Sequence, residues 1–337
     1  MQSLISRPGW RLDVRDPLYA HLAFVVLPRA GVEVTQPDFE VGELGNGRGV
    51  YVYRERTSHA LFVCKFFGSR HHLSESARRA LLHLEFSNLS VVREMGFKEF
   101  PYRMVQPLSK SEPINCVLVE EFARGHDLDY YISKAAYEGQ HKRLFGKLTQ
   151  LAHFLAELHN CTVDTERVRS GDAFSYFRHL VSALVRAGVV GPQTADRFSH
   201  LSNKWEKDSQ MWTEPRVLVH GDVTPTNFLF HVNEGVTAID LERMRMADRV
   251  YDVGMLAAEL RHHFAWRVGQ AGAAEPFIGH FLWAYCEGFP DQKRAFREVS
   301  HRNRFYMALG ELRMARNPWL PWEHRKWLVQ EAVGCLQ

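Results

Sequence analysis

His220-Gly221-Asp222-Val223-Thr224-Pro225-Thr226-Asn227 follows the apolar run Val217-Leu218-Val219, and Val236-Thr237-Ala238-Ile239 leads into Asp240-Leu241-Glu242. In both places a short apolar stretch of strand character ends on polar residues, so two strands deliver Asp222, Asn227 and Asp240 to one edge. The chemistry open to such a trio is narrow. Mg2+ is a hard cation that takes carboxylate, amide oxygen, water and phosphate as ligands, and Asp240 and Asn227 supply two of these. Phosphoryl transfer from ATP also needs a carboxylate that orients the attacking hydroxyl and accepts its proton, a task of positioning that falls to Asp222. Pro225 stiffens the loop, and the hydroxyls of Thr224 and Thr226 can bond either phosphate or the loop itself. An HGD turn or an IDLE strand end alone is commonplace, and it is their ordered co-occurrence that points to a site.

The segment HGDVTPTN resembles the catalytic loop of the protein-kinase-like superfamily, specifically of its aminoglycoside phosphotransferase and choline kinase group, and IDLE resembles that group's metal-binding segment. The resemblance implies Asp222 as catalytic base, Asn227 as metal ligand and Asp240 as chelator of the Mg2+ that bridges the ATP phosphates. It also implies a lysine on a strand, a glutamate on the following helix and a phosphate-covering loop. Lys65, in Leu61-Phe-Val-Cys-Lys65, is placed to reach the α- and β-phosphates. Glu85 is its expected partner, with Glu94, near the end of the same helix, as the second candidate. Gly45, Gly47 and Gly49 of Gly45-Asn-Gly-Arg-Gly49 lie upstream of Lys65 and would let backbone N–H groups approach phosphate. Leu118-Val-Glu-Glu-Phe-Ala-Arg124 resembles the hinge between kinase lobes, where Glu121 and Ala123 would offer main-chain atoms to adenine. Asp252 resembles the family aspartate that starts a helix and braces the catalytic loop, and a helix cap is an equally good description.

The surrounding pattern fits a small β-rich lobe followed by a larger helical one, an α+β, two-lobed, protein-kinase-like fold. Phe39–Phe67 reads as three short antiparallel strands. Ala77, Leu81, Leu84 and Leu89 fall near helical spacing over residues 74–95, with Gly96 to end the helix. Strand signals return at Tyr102–Pro107 and Cys116–Glu121. Leu144, Leu148, Leu151, Leu155 and Leu158 then form one helical face that must pack on something. The expected division is an N-terminal extension, 1–38, with no chemical signal, a nucleotide-binding lobe, 39–122, and a helical lobe, 123–337, with the catalytic loop and acceptor site.

Composition excludes several classes. The 337 residues are 45% hydrophobic, enough for a large core and about two domains. A net charge of +3 from 42 basic and 39 acidic residues in mixed order is too mild to argue for nucleic acid. The apolar run Ala20–Pro28 is too short to span a bilayer, and neither signal peptide nor anchor is expected. Five scattered cysteines without ligand spacing fit free thiols in a reducing cytoplasm. Gly221 and Thr224 stand where protein kinases have Arg and Lys, and eleven residues between Asp240 and Asp252 leave little room for a peptide-docking segment. The expected acceptor is therefore a hydroxyl of a small molecule such as a sugar, aminoglycoside or amino alcohol. The alternatives are a nucleotide-binding regulator without turnover and a protein kinase. Part of the acceptor pocket is expected from Phe174–His179.

Overall fold

The computed structural model describes residues 9–44, 49–231 and 235–337. The chain folds as two compact units, Met1–Arg124 with Thr237–Glu242 and Gly125–Val236 with Arg243–Gln337.

The first unit contains β1 (Trp10–Arg11), α1 (Pro17–His21), α2 (Leu27–Arg29), β2 (Phe39–Glu43), β3 (Val50–Glu55), β4 (Leu61–Phe66), α3 (Glu75–Glu94), β5 (Tyr102–Met104), β6 (Pro107–Ser111) and β7 (Val117–Glu121). An antiparallel sheet runs β1-β2-β3-β4-β7-β6. Its period of two sorts β4 cleanly: Phe62 and Cys64 point into the core, while Lys65 points to the opposite face. The core face is completed by Leu18, Leu22, Val26 and Leu27, so the apolar run without a chemical reading is a helical cover for the sheet. Tyr19 Oη donates to the Pro37 carbonyl at 2.6 Å and Arg29 Nη1 to that of Leu108 at 2.8 Å, fixing both ends of the cover.

Helix α3 starts where the Ser74 side chain accepts the Ala77 N–H at 3.2 Å. Its extent agrees with the sequence pattern, but its buried face does not. Leu82, Glu85, Leu89 and Val92 are buried and Leu84 is exposed. The helix turns a glutamate inward because Lys65 waits there, so an ion pair overrides the apolar pattern.

The second unit contains β8 (His126–Asp127), α4 (Leu128–Glu138), α5 (His141–Cys161), α6 (Ser170–Arg186), α7 (Pro192–Glu206), β9 (Val217–Val219) and β10 (Phe228–His231). The strand β11 (Gly235–Ala238) carries the chain into the first unit. After it come β12 (Arg245–Ala247), α8 (Val250–Val268), α9 (Glu275–Cys286), α10 (Gln292–Ala315) and α11 (Trp322–Leu336). The five leucines of the α5 face are all fully buried. Strand β9 pairs antiparallel with β12, Val219 opposite Arg245, a partner too short and too polar to read from sequence. All five cysteines are free, and among the described residues no helix is long and apolar enough to cross a membrane.

Helices α8 and α10 touch backbone to backbone at Gly254. A Cβ there would lie 2.4 Å from the Tyr306 Cβ and 2.8 Å from its carbonyl carbon. Alanine gains about 1 kcal/mol of helix propensity over glycine, but forcing two packed helices apart costs about 1–3 kcal/mol or more. Gly254→Ala is therefore expected to lower stability by about 2 kcal/mol net, read as a lower urea midpoint; an unchanged or raised midpoint would contradict this packing.

Candidate active site

In the first unit, Lys65 is the centre of a buried charge cluster. Its Nζ donates to Glu85 Oε1 at 2.5 Å and lies 3.3 Å from Glu120 Oε1 and 3.8 Å from Asp240 Oδ1. The position follows from register: Lys65 stands opposite Leu118 on β7 and Val63 opposite Glu120, so Lys65 and Glu120 share a face diagonally. Glu94, the second candidate for the pairing, is exposed and bonds Lys98 at 2.7 Å. Burial alone would lower the Lys65 pKa, but Glu120, Glu85 and Asp240 outweigh it and hold the ammonium well above its ordinary range. Burial pushes the Glu85 carboxyl upward, with Lys65 opposing and the two neighbouring acids adding to the rise.

Asp240 adopts a left-handed backbone, φ 67°, which aspartate tolerates better than most residues. Asn88 Nδ2 donates to the next carbonyl, Leu241, at 2.8 Å and ties this turn to α3. Glu242 Oε2 meets Arg70 Nη1 at 2.7 Å. Glu85, Asp240 and Glu242 each present a carboxylate oxygen within 4.8 Å of the others, and the buried Glu85 Oε2 has no hydrogen-bond partner among the described residues. An all-oxygen donor set of three carboxylates, beside Lys65 and Arg70 as cations, suits a hard divalent cation.

The remaining first-unit candidates divide. The Gly49 carbonyl accepts the Phe66 N–H at 2.8 Å and Gly49 has φ +73°, whereas Gly45 and Gly47 lie outside the described residues. The Glu121 N–H is already given to the Gln106 carbonyl at 3.0 Å, and its carboxylate bonds Arg103 and the Gln106 N–H. That engages the Glu121 amide, one of the two main-chain groups it could offer to adenine. Among the described residues no main-chain partner is found for Ala123, which leaves its peptide groups open.

Removing the lysine charge strands buried acids, which costs about 3–5 kcal/mol when one partner of a buried pair is lost. Lys65→Met is expected to lose about 3 kcal/mol at pH 7.5. Acids whose folded pKa is raised destabilise above their unfolded value and are relieved as pH falls through the folded one. The deficit should shrink at pH 5.5, measured by urea unfolding; an equal deficit at both values would contradict the cluster.

In the second unit, β9 ends at His220 and the loop turns at once. Gly221 has φ +80°, and a Cβ there would lie 2.2 Å from the Arg243 carbonyl oxygen, so glycine is required by conformation and by space. Asp252, in the first turn of α8, accepts the His220 N–H at 2.7 Å and the Gly221 N–H at 2.9 Å, one on each carboxylate oxygen. His159 Nε2 lies 3.1 Å from Asp252 Oδ2, and Tyr285 Oη lies 2.8 Å from His159 Nδ1. These groups are buried together. Burial works to raise the Asp252 carboxyl, yet His159, the nearby His220 and the Gly221 N–H bring it below the usual carboxylate range. Burial brings the His159 pKa below its ordinary value, with Asp252 pulling the other way.

The loop then folds on itself. The Asp222 carbonyl accepts the Thr224 N–H at 2.8 Å and Asn227 Nδ2 at 2.9 Å, so the amide nitrogen of Asn227 is held by the loop itself. The Asp222 carboxylate is met by Arg313 of α10 through a hydrogen bond to Oδ1, and Arg243 Nε lies 3.7 Å from Oδ2. Burial opposes the Arg313 charge, and Asp222 more than restores it. Behind them Glu259 of α8 is pushed up to about 7 by burial, with Arg313 pulling the other way.

A model of the phosphotransferase enzyme family matches residues 43–291. The chain belongs to this family. As a phosphotransferase family member it has the two-lobed α+β, protein-kinase-like fold. It is similar to a structure of the streptomycin-ATP-APH(2'')-IIa ternary complex, at 13% identity and TM-score 0.55, over 96% of this chain and 97% of that one. It is similar to an ethanolamine kinase from Plasmodium vivax, at 14% identity and TM-score 0.58, over 96% and 88%. The choline kinase LicA from Streptococcus pneumoniae gives 16% identity and TM-score 0.56, over 94% and 99%. No curated protein matches the phosphotransferase chain by sequence.

Proposed function

We propose that the chain transfers the γ-phosphate of ATP, with Mg2+, to a hydroxyl of a small molecule. The observation that carries this reading is the Lys65 cluster, where a buried ammonium is held by Glu85 beside the carboxylate of Asp240. Lys65 would meet the α- and β-phosphates, and Asp240 and Asn227 would hold the cation, with Glu242 close by. Bound Mg2+ supplies neutralisation of charge on the phosphate oxygens. Gly45, Gly47 and Gly49 would cover the phosphates, and Ala123, with Glu121 through its carbonyl, would line the adenine edge.

Asp222 would orient the acceptor hydroxyl. The acceptor oxygen bonds to the γ-phosphorus, the bond from that phosphorus to the bridging oxygen breaks, ADP leaves and the hydroxyl proton passes to Asp222. Residues 39–122 would carry the nucleotide and 123–337 the acceptor, in the cytoplasm. Aminoglycosides, sugars and amino alcohols are the acceptor types that the resemblance offers; streptomycin, choline and ethanolamine appear in the names of the similar structures.

The test is incubation with γ-labelled ATP, Mg2+ and a metabolite extract, followed by separation of products. Label in a small molecule is expected. Nucleotide binding without any labelled product would favour a regulator, and label in protein would favour a protein kinase.

A further inference from the structure

A cavity of about 630 Å3 opens in the second unit beside the catalytic loop, with Gly221 in its wall. Its charged lining is four arginines, Arg169, Arg216, Arg243 and Arg245, and two aspartates, Asp172 and Asp248. What matters is how much of that charge is already answered.

Asp248 is buried, accepts the Val250 N–H at 2.9 Å and has Arg302 Nε 3.2 Å away, so its charge is spent inside the protein. Arg216 is spent in the same way on Asp164 at 2.8 Å and Glu166 at 3.0 Å. Arg169 reaches Glu166 only at 3.5 Å and its side chain is 74% exposed.

Arg245 differs from these. Its guanidinium lies 4.2 Å from the centroid of the Tyr251 ring and Nη1 donates to the Arg243 carbonyl at 3.2 Å. Among the described residues no carboxylate forms an ion pair with it. The stacking fixes the plane of the fork and leaves its remaining donors for a ligand, the arrangement in which arginine recognises carboxylate or phosphate. Arg243, two residues away in the same wall, reaches the Asp222 carboxylate at 3.7 Å, and Asp222 follows directly on Gly221 of the cavity lining. Against them Asp172 is the single lining acid not answered by a cation among the described residues. Recognition of a cationic amine would call for the opposite sign, several carboxylates without partners.

Resting on the phosphotransferase reading above, we infer that the acceptor alcohol bears a negative group, a carboxylate or a phosphate, held by Arg245 with Arg243 so that its hydroxyl faces Asp222. The group transfer is the one already written, with the proton going to Asp222 and ADP as leaving group. Arg245 binds the acceptor and does no chemistry, so its loss should appear in KM and leave kcat nearly alone.

The experiment uses the full chain with Mg2+ in two arms. Binding is measured by calorimetry in the presence of a non-hydrolysable ATP analogue, with glycerate as the carboxylate probe, glycerol 3-phosphate as the phosphate probe, and glycerol and choline as neutral and cationic controls. Wild type is expected to bind one of the anionic probes, and Arg245→Gln to weaken that binding about tenfold or more. Binding of choline or glycerol in preference, or equal affinity for the anions in Arg245→Gln, would overturn the inference. Turnover is then followed by ADP release across acidic, neutral and cationic alcohols. A KM for acidic acceptors raised about tenfold in Arg245→Gln, with kcat within about twofold, supports it. Anion binding that depends on Arg245 without phosphate transfer to any alcohol would leave the anion site standing and sink the phosphotransferase reading alone.

Discussion

Asp222→Asn is expected to lower turnover by about 1,000-fold or more, with affinity for Mg-ATP held within about threefold. Asparagine keeps the shape of the side chain and an oxygen that can accept from Arg313, so the loop has no steric reason to move. What disappears is the ability to take the hydroxyl proton, and positioned general bases contribute about 100- to 10,000-fold. Arg313 raises the stake. Its guanidinium is mostly buried and its hydrogen bond orients Oδ1 of Asp222, so the carboxylate proposed as base is held in place before any acceptor arrives. Substitution also leaves that cation to Glu259 of α8, a carboxyl that burial pushes up to about 7. Single-turnover kinetics with γ-labelled ATP, beside nucleotide titration, separates the two effects. Turnover within about tenfold of wild type would take Asp222 out of the base role.

The distance over which an interaction acts decides how much of the site is legible in the sequence. Asp222, Asn227 and Asp240 are legible as candidates because the two short segments that carry them occur together and in order, although either alone is commonplace. Lys65 and Glu85 are legible through their place on a strand and on the helix after it, and the structure brings their charges together. Glu120 is not, because its approach to Lys65 depends on the β4–β7 register, which no local pattern specifies. Arg313 is further out of reach: it comes from a helix 91 residues beyond Asp222 and looks there like any solvated arginine. His159 left one signal, a polar residue closing the leucine face of α5, but its partner lies 93 residues away.

The fold shows the same division. The aromatic and β-branched runs of β2, β3 and β4, set off by turns, and the leucine face of α5 specify those elements locally. The inward face of α3 is misplaced by the apolar count because Leu84 is exposed and Glu85 takes the buried position, a choice made by Lys65 and not by hydrophobicity. The helical run over residues 17–29 carries no chemistry, and its role emerges only once the sheet face it covers exists.

Asp252→Ala should be the most destabilising change in the second unit, at about 4 kcal/mol or more. The carboxylate serves three buried donors: the N–H groups of His220 and Gly221 and the ring of His159. Each buried donor left without an acceptor costs about 1–3 kcal/mol, and water has no route to replace a side chain with no exposed surface. Asp252→Asn should cost about half as much, since one amide oxygen can still accept while its NH2 faces a donor it cannot satisfy. The pH dependence has a definite sign. The folded carboxyl lies below its ordinary value, so its stabilisation is present above the unfolded pKa, about 3.9, and is lost as pH falls through the folded one. The gap between wild type and Asp252→Ala should therefore hold constant from pH 8 to 5 and narrow only in stronger acid. Turnover should fall as well, because the same bonds set the entry to Asp222 through the left-handed Gly221. Urea unfolding across this pH range provides the measurement. A loss below about 1 kcal/mol, or a gap that closes between pH 8 and 6, would mean that the loop is held by something other than Asp252.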